Sequence, residues 1–154
     1  MNFLNSIDVS ASGLTAQRLR MDTIANNMTN VETTRVENDT GPYRRQVVIF
    51  EAIKPSGSNK SSFKSVLRQN AKPTVGQGVR VKEIRNIDEN ERPFRRVYEP
   101  SHPDADQQGY VNYPNVNIVE EMINMVSATR AYEANAKVIE ASRSMAMRAL
   151  DIGR

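Results

Sequence analysis

The stretch that decides the fold is the C-terminal run NIVEEMINMVSATRAYEANAKVIEASRSMAMRALDI, residues 117–152, which contains neither proline nor glycine. Its apolar and small residues recur at alternating steps of three and four, which places them along one side of an α-helix. Asn117 followed by Glu120 has the pattern of a capping box and predicts the helix start. Such a helix is roughly 50 Å long and overhangs a small domain, so part of its stripe needs cover from another chain. The stripe comprises Ile118, Met122, Met125, Thr129, Tyr132, Ala136, Ile139, Arg143, Ala146 and Leu150.

The N-terminus carries a matching stripe, and the residues that break helices lie between the two. All seven prolines fall between Pro42 and Pro114. The fold class is therefore predicted as α+β, with long N- and C-terminal helices that pair as a coiled-coil-like layer around a small antiparallel β-rich domain. The expected boundaries are 1–35, 36–115 and 116–154. The N-terminal stripe comprises Leu4, Ile7, Ala11, Leu14, Arg18, Met21, Ala25 and Met28.

The middle segment is typical of short strands. Four runs, at 44–53, 79–84, 94–98 and 110–113, are rich in β-branched and aromatic residues. A serine-, glycine- and proline-rich stretch near 54–65 has the composition of a flexible loop. We expect one small antiparallel sheet with a long connection.

Two local features of the N-terminal helix need an explanation. Gly13 lies within the helical pattern, either as a tolerated defect or because the backbone of another helix approaches closely there. At the end of the stripe, Asn26, Asn27 and Asn30 favour a left-handed turn, because asparagine is the most common residue after glycine in that conformation.

Composition excludes several classes of protein. The chain has 154 residues, a net charge of +3 and no cysteine, so disulfides, thiolate metal sites and cysteine catalysis are excluded. The charge excess is too small to require a polyanionic partner. The N-terminus lacks the pattern of a cleaved signal peptide, and no apolar run is long enough for a membrane span. Composition alone thus suggests a cytoplasmic protein.

The only cluster that resembles a reactive site is His102, Asp104 and Asp106. These side chains could meet one hard cation, but a polar turn set by the neighbouring prolines is the simpler interpretation. With a single histidine and no phosphate-binding glycine loop, we expect no catalytic residue, no metal, no cofactor and no small-molecule substrate.

Other charged residues have simpler interpretations. Arg44–Arg45 and Arg95–Arg96 lie beside aromatic residues, as in proteins that bind single-stranded nucleic acid. A half-buried sheet explains the same alternation, and we expect no nucleic-acid partner. Glu120 and Glu121 point about 100° apart on a helix, so they are interpreted as capping and solvated residues rather than an acid–base pair.

The stripes themselves favour packing among several helices. Their polar faces lack the lysine-rich band of a helix that lies on a membrane, so no stable membrane insertion is expected. A simple two-chain zipper is interrupted at Arg18, Thr129 and Arg143. The residues alone therefore predict a subunit of an assembly.

Several separated motifs resemble one family. The segment IANNMTNVETTR, residues 24–35, with Asn26, Asn27, Asn30, Thr33 and Thr34, resembles the N-terminal signature of the bacterial flagellar rod and hook proteins. The blocks GPYRR at 41–45, HPDAD at 102–106 and RAYEAN at 130–135 narrow the resemblance to the proximal rod proteins. The resemblance covers nearly the whole chain.

The resemblance implies a structural subunit of the flagellar basal-body rod, or drive shaft, required for swimming motility. Its partners would be copies of itself, other flagellar rod proteins and the flagellar type III export gate, and its location would be outside the cytoplasmic membrane. Phe3 and Ile7 fit the export signal of the family. The helix stripes would form the assembly interface, with Leu4, Ile7, Leu14, Met21, Met28, Ile118, Met122, Met125, Tyr132, Ile139 and Leu150.

Two other classes of function remain open from the sequence. A cytoplasmic helical adaptor would dimerise through its ends and form stable helical oligomers. A metal-dependent enzyme would need His102 and would lose activity on His102→Ala.

Overall fold

The computed structural model describes residues 3–36, 41–53 and 77–152. In chain order the elements are α1 (Phe3–Thr29), β1 (Gln46–Ala52), β2 (Val79–Asn86), β3 (Arg95–Tyr98), β4 (Tyr110–Tyr113) and α2 (Ile118–Ile152). The predicted α+β fold, with long terminal helices and antiparallel strands between them, is confirmed. The predicted loop near 54–65 lies outside the described residues.

The end of α1 is closed by asparagine side chains rather than by a left-handed residue. Asn30 donates from both its backbone N–H and its Nδ2 to the carbonyl oxygen of Asn26, at 3.2 and 2.9 Å. Thr33 then donates to Asn30 Oδ1 at 3.1 Å. No non-glycine residue in the described ranges has a positive φ, so the expected left-handed turn was wrong. The Asn26 carbonyl oxygen thus accepts from the backbone and the side chain of Asn30, and also from Thr29 Oγ1, at the end of the helix.

The start of α2 shows half of the predicted capping box. Asn117 Oδ1 accepts hydrogen bonds from the backbone N–H of Val119 at 2.9 Å and of Glu120 at 3.4 Å. The Glu120 carboxylate pairs with Arg92, at 2.7 and 3.0 Å. The next residue, Glu121, is only 1% exposed. Its interpretation as a solvated residue was therefore wrong.

The strands form two separate hairpins instead of the single expected sheet. Strands β1 and β2 pair antiparallel from Gln46↔Asn86 to Ala52↔Val79, with a register shift between Ile49 and Phe50. Strands β3 and β4 pair antiparallel from Arg95↔Tyr113 to Tyr98↔Tyr110. The first hairpin packs along α1, which removes it from the second. Two short ribbons therefore replace one sheet, and each depends on the helices or on side-chain contacts for support.

Helices α1 and α2 pack against each other in antiparallel directions. Three contacts show this, because residue numbers rise in one helix as they fall in the other: Gly13 faces Asn135, Met21 faces Thr129, and Asn27 faces Glu121. A Cβ added to Gly13 would lie 2.9 Å from Asn135 Nδ2. The space that a Cβ would need at Gly13 is therefore taken by α2, through the side chain of Asn135 rather than through its backbone.

The face of α2 that α1 covers differs from the predicted stripe. Its buried residues are Glu121, Ala128 and Ser142, while Met125, Tyr132 and Ile139 are half-buried. Ile118, Met122 and Leu150, which belong to the same predicted stripe, are exposed. The reason is that small side chains permit the closest approach, so they occupy the seam and displace larger apolar residues to its flanks.

Candidate functional site

A polar cluster of buried Asn27 and Glu121 with half-buried Tyr43 and Arg45 joins the two helices to the β-rich insert. Asn27, from the last turns of α1, donates to Glu121 Oε2 at 3.1 Å and to the carbonyl oxygen of Gln46 at 2.8 Å. Its Oδ1 accepts hydrogen bonds from Tyr43 Oη at 3.0 Å and from the Gln46 N–H at 2.9 Å. The Asn27 side chain thus uses both ends of its amide, as a buried polar group must.

Arg45 completes the cluster with an ion pair. Its Nε and Nη2 donate to Glu121 Oε1 at 2.8 and 2.6 Å. The carboxylate is therefore compensated by a cation, which a buried charge requires. The Arg45 backbone N–H also donates to Asn115 Oδ1 at 2.9 Å. The Asn115 amide in turn donates to the carbonyl oxygens of Ile87 and Arg92, which ties the start of α2 to the segment after β2.

The cluster changes the ionisation of one of its members. Burial raises the pKa of Tyr43 above its ordinary value of 10.0, and the negative charge of Glu121 adds to the increase. Both effects disfavour a second anion at the site. The phenol therefore stays a hydrogen-bond donor to Asn27, and the cluster serves a structural purpose.

The second notable feature is an uncovered apolar face on the first turns of α2. We define the outer face as Ile118, Val119, Met122, Ile123 and Val126, all of which are exposed. Val119 and Ile123 are 64 and 65% exposed. Large apolar residues concentrated on one side of a helix mark an interaction site, whereas the same residues scattered singly would not.

The far end of α2 is also bare. Since Gly13 faces Asn135, Phe3 is expected opposite Met145, and the residues beyond that point extend past the first described turn of α1. Met147, Leu150 and Ile152 in this overhang are all exposed, Ile152 by 87%. The helix pair therefore presents uncovered apolar surface at both ends of α2.

The structure divides the predicted interface residues into two groups. The side chain of Leu4 lies outside the described part of the structure, as does that of Phe3 in the predicted export signal. Three of the others, Ile118, Met122 and Leu150, are exposed and available to another chain. The remainder are partly covered within this chain; they are Ile7, Leu14, Met21, Met28, Met125, Tyr132 and Ile139.

The residues of the asparagine-rich signature are brought together around the exit from α1. Asn27 lies in the polar cluster, Asn30 closes the helix and Thr33 bonds to it. Thr34 donates to Asp104 Oδ2 at 2.8 Å, which links the exit to the second hairpin. Asn26 is exposed and contributes its carbonyl oxygen. The signature is thus mainly a set of structural contacts.

The cluster of His102, Asp104 and Asp106 is a polar turn. His102 Nδ1 accepts a hydrogen bond from the Asp104 N–H at 3.1 Å. Asp106 accepts from the N–H groups of Gln108 and Tyr110, and these bonds, with the nearby Arg96, lower its pKa. Within residues 3–36, 41–53 and 77–152, no group of three histidine or acidic side chains could hold a metal ion.

The arginines beside aromatic residues are engaged within the chain. Arg95 and Arg96 lie 5.0 Å from the ring centroids of Tyr113 and Tyr110, and Arg96 also pairs with Asp106 at 3.2 Å. Such cation–π contacts stabilise the hairpin. Arg45 is held by Glu121. These cations therefore have internal partners.

Cavities in the described parts of the chain offer little for chemistry. A groove of about 290 Å³ beside the polar cluster is lined by α1, β1 and the start of α2, with Arg20, Phe50 and Asn124 in its walls. It contains neither histidine nor cysteine.

None of the described helices is long and apolar enough to cross a membrane.

The site residues that the sequence missed are Tyr43, Arg45, Asn115 and Glu121. The sequence held one signal for Glu121. It lies on the same face of α2 as Ala128 and Ser142, so a partner that buries this face also buries Glu121. Its partner could not be read from the chain, because Arg45 is 76 positions away.

Comparison with known proteins gives consistent results at both ends of the chain. Residues 7–35 match the family model described as "Flagella basal body rod protein", and residues 107–152 match "Flagellar basal body rod FlgEFG protein C-terminal". The chain is 47% identical to a protein of Borreliella burgdorferi over 99% of this chain and 98% of that one. It is 42% identical to a protein of Bacillus subtilis and 36% identical to one of Escherichia coli, each over the full length of both chains. All three relatives are named flagellar basal-body rod protein FlgC.

Proposed function

Because this chain belongs to the family of flagellar basal-body rod proteins FlgC, and is therefore a structural subunit and not an enzyme, we propose that it assembles helically through its terminal helices. The observation that carries the proposal is the outer face of α2 together with the overhanging end of the same helix. Copies of the chain and other flagellar rod proteins would cover these surfaces. Once assembled, the subunit would transmit torque from the motor to the hook and so support swimming.

Burial of apolar surface would drive the assembly. Apolar area removed from water contributes roughly 25 cal/mol per Å². The isolated helix pair has a small core, since its fully buried apolar side chains in the described ranges are Ala16, Ile24 and Ala128. Contacts with neighbouring subunits would therefore supply a large share of the stability of the helices.

The route to the rod is proposed to be export through the flagellar type III apparatus, with the export gate as a transient partner. Synthesis would occur in the cytoplasm and assembly outside the cytoplasmic membrane. A chain with a small core and no cysteine can be transported largely unfolded, because it has neither a large folding free energy nor a disulfide to oppose this. Phe3 and Ile7 remain the proposed export signal.

The test places a charge on the outer face. Ile123→Asp and Val126→Asp change exposed side chains, so the subunit should still fold, while a buried aspartate at an interface is strongly unfavourable. We expect loss of swimming and absence of the variant from purified basal bodies, with unchanged circular dichroism of the purified chain. Asn90→Asp, in an exposed turn of the insert, is the control and should swim normally. Normal incorporation of both outer-face variants would refute the proposal.

A further inference from the structure

Outside the polar cluster, the buried residues of the two helices are small apart from Ile24, and larger side chains such as Met21 and Tyr132 are only half-buried. The small buried residues include Gly13 and Ala16 on α1 and Ala128 and Ser142 on α2, and Gly13 faces Asn135. Small side chains make shallow knobs and holes, so a displacement along the axis by one heptad brings similar surfaces together again. Packing of these residues by itself discriminates weakly between neighbouring registers.

The polar cluster, by contrast, does discriminate between registers. Asn27 and Glu121 are each 1% exposed, and they bond to each other directly across the seam. A slip of one heptad moves the two helices about 10 Å relative to each other. It would separate the buried Glu121 carboxylate from Asn27 and from Arg45, which adjoins the Asn27-bound Gln46, and a buried carboxylate without partners is strongly unfavourable. Only one register satisfies these groups.

The cluster also connects the aligned helices to the β-rich insert. Asn27 holds both backbone groups of Gln46, the first residue of β1. Arg45 holds Glu121 through its side chain and Asn115 through its backbone. The alignment of α1 with α2 and the position of the β1–β2 hairpin therefore depend on the same side chains.

We propose that the cluster of Asn27, Tyr43, Arg45 and Glu121 is a register lock, which selects one alignment of the two terminal helices and ties it to the insert. The lock determines where the outer face and the overhang of α2 lie relative to α1. Its contribution is specificity of alignment, so replacing it with apolar residues should preserve helix pairing while losing the unique register.

Disulfide mapping tests the lock directly, because the chain has no cysteine and introduced pairs are therefore the only thiols. Thr129 Oγ1 lies 3.6 Å from Met21 Sδ, so Met21→Cys with Thr129→Cys reports the native register. Met21→Cys with Met122→Cys or with Ala136→Cys reports a slip of one heptad in either direction. Met122 and Ala136 are exposed, so their replacement disturbs the seam little.

Each cysteine pair is placed in three backgrounds of the full-length purified chain and oxidised under equilibrium conditions. The first is the otherwise unchanged chain. In the second, Asn27→Leu, Arg45→Met and Glu121→Leu make the lock apolar. The third is a matched control, Arg92→Met with Glu120→Leu, which removes the adjacent ion pair outside the seam.

In the unchanged chain and in the control, we expect the 21–129 disulfide with slip products below a tenth of its amount. The variant with the apolar lock should keep its helical circular dichroism. Its yield of the 21–122 and 21–136 disulfides, the slip products, should be at least tenfold higher than in the unchanged chain. The proposal would be overturned if the apolar-lock variant formed only the 21–129 disulfide. Abundant 21–122 or 21–136 disulfide in the otherwise unchanged chain would also overturn it. If the apolar lock fails to fold, Glu121→Gln decides: slip products should rise severalfold, and their absence overturns the lock.

Discussion

Two adjacent glutamates show how strongly the surroundings of one residue determine its behaviour. Glu120 is exposed and pairs with Arg92 at the protein surface, where hydrogen bonds from that arginine lower its pKa. Glu121 is turned into the seam and pairs with Arg45. Exposed ion pairs contribute little to stability because water competes with them. The two residues, alike in sequence, therefore have different energetic importance.

The first prediction compares their removal. Glu121→Ala should lower the free energy of unfolding by about 3–5 kcal/mol, because it leaves the Arg45 cation and the Asn27 amide without their partner. Glu120→Ala is the matched control and should shift the unfolding midpoint only slightly. Urea unfolding followed by circular dichroism measures both. Equal effects of the two substitutions would contradict the assignment of Glu121 to the seam.

The second prediction concerns pH. The folded-state pKa of Tyr43 is raised above 10.0, its value in the unfolded chain, so the folded state favours the protonated phenol. That contribution is fully present below pH 10.0 and is lost as the pH rises through the folded pKa. Unfolding free energies measured between pH 8 and 11 should fall more steeply for the natural chain than for Tyr43→Phe. Parallel curves would show that Tyr43 is not coupled to folding.

At the scale of elements, α2 has two different faces. The seam carries small and polar residues such as Ala128 and Ser142, whereas larger apolar residues such as Ile123 lie on the outer face. The hydrophobic period of three and four residues is compatible with both faces. Close approach of α1 decides between them, and Gly13 permits that approach.

The third prediction tests this approach. Gly13→Ala should improve helix propensity by about 1 kcal/mol, but the new Cβ would lie 2.9 Å from Asn135 Nδ2. Moving that side chain would break its 3.0 Å hydrogen bond to the carbonyl oxygen of Ala131. We therefore expect no net stabilisation from Gly13→Ala alone, whereas on the Asn135→Ala background the same change should raise the unfolding free energy by about 1 kcal/mol. A full gain from the single variant would argue against the close contact.

At the scale of the whole molecule, the insert supports only part of the helix pair. The β1–β2 hairpin follows α1 from the Asn27–Gln46 contact to Ser12, whose Oγ accepts a hydrogen bond from the Val79 N–H at 3.0 Å. On the N-terminal side of Ser12, α1 packs against α2 instead of the hairpin. The C-terminal end of α2 extends past the first described turn of α1. The boundaries predicted at 35 and 116 cut through the polar cluster, so the proposed unit of stability includes parts of both helices.

The fourth prediction follows from this division. Apart from cuts in the predicted flexible loop near 54–65, limited proteolysis should cut first near residues 3–11 and 140–152, where few tertiary contacts oppose local unfolding. The terminal boundaries of the resistant product should lie near Ser12 and Asn135, with both helix segments of the polar cluster retained. Mass spectrometry of the time course gives these boundaries. A resistant product confined to residues 36–115 would show instead that both helices open independently of the insert.

The sequence by itself determined the two terminal helices, the strands between them and the membership in a rod-protein family. These features are local: helix periodicity, the confinement of proline to residues 42–114 and contiguous signatures are all visible along the chain. Only the tertiary structure decided which face of α2 is covered, which glutamate is buried and that the strands form two hairpins. The physical reason is that these outcomes depend on partners distant in sequence, such as Asn27 and Glu121, which are 94 positions apart. Their pairing is selected by the free energy of burying both at once.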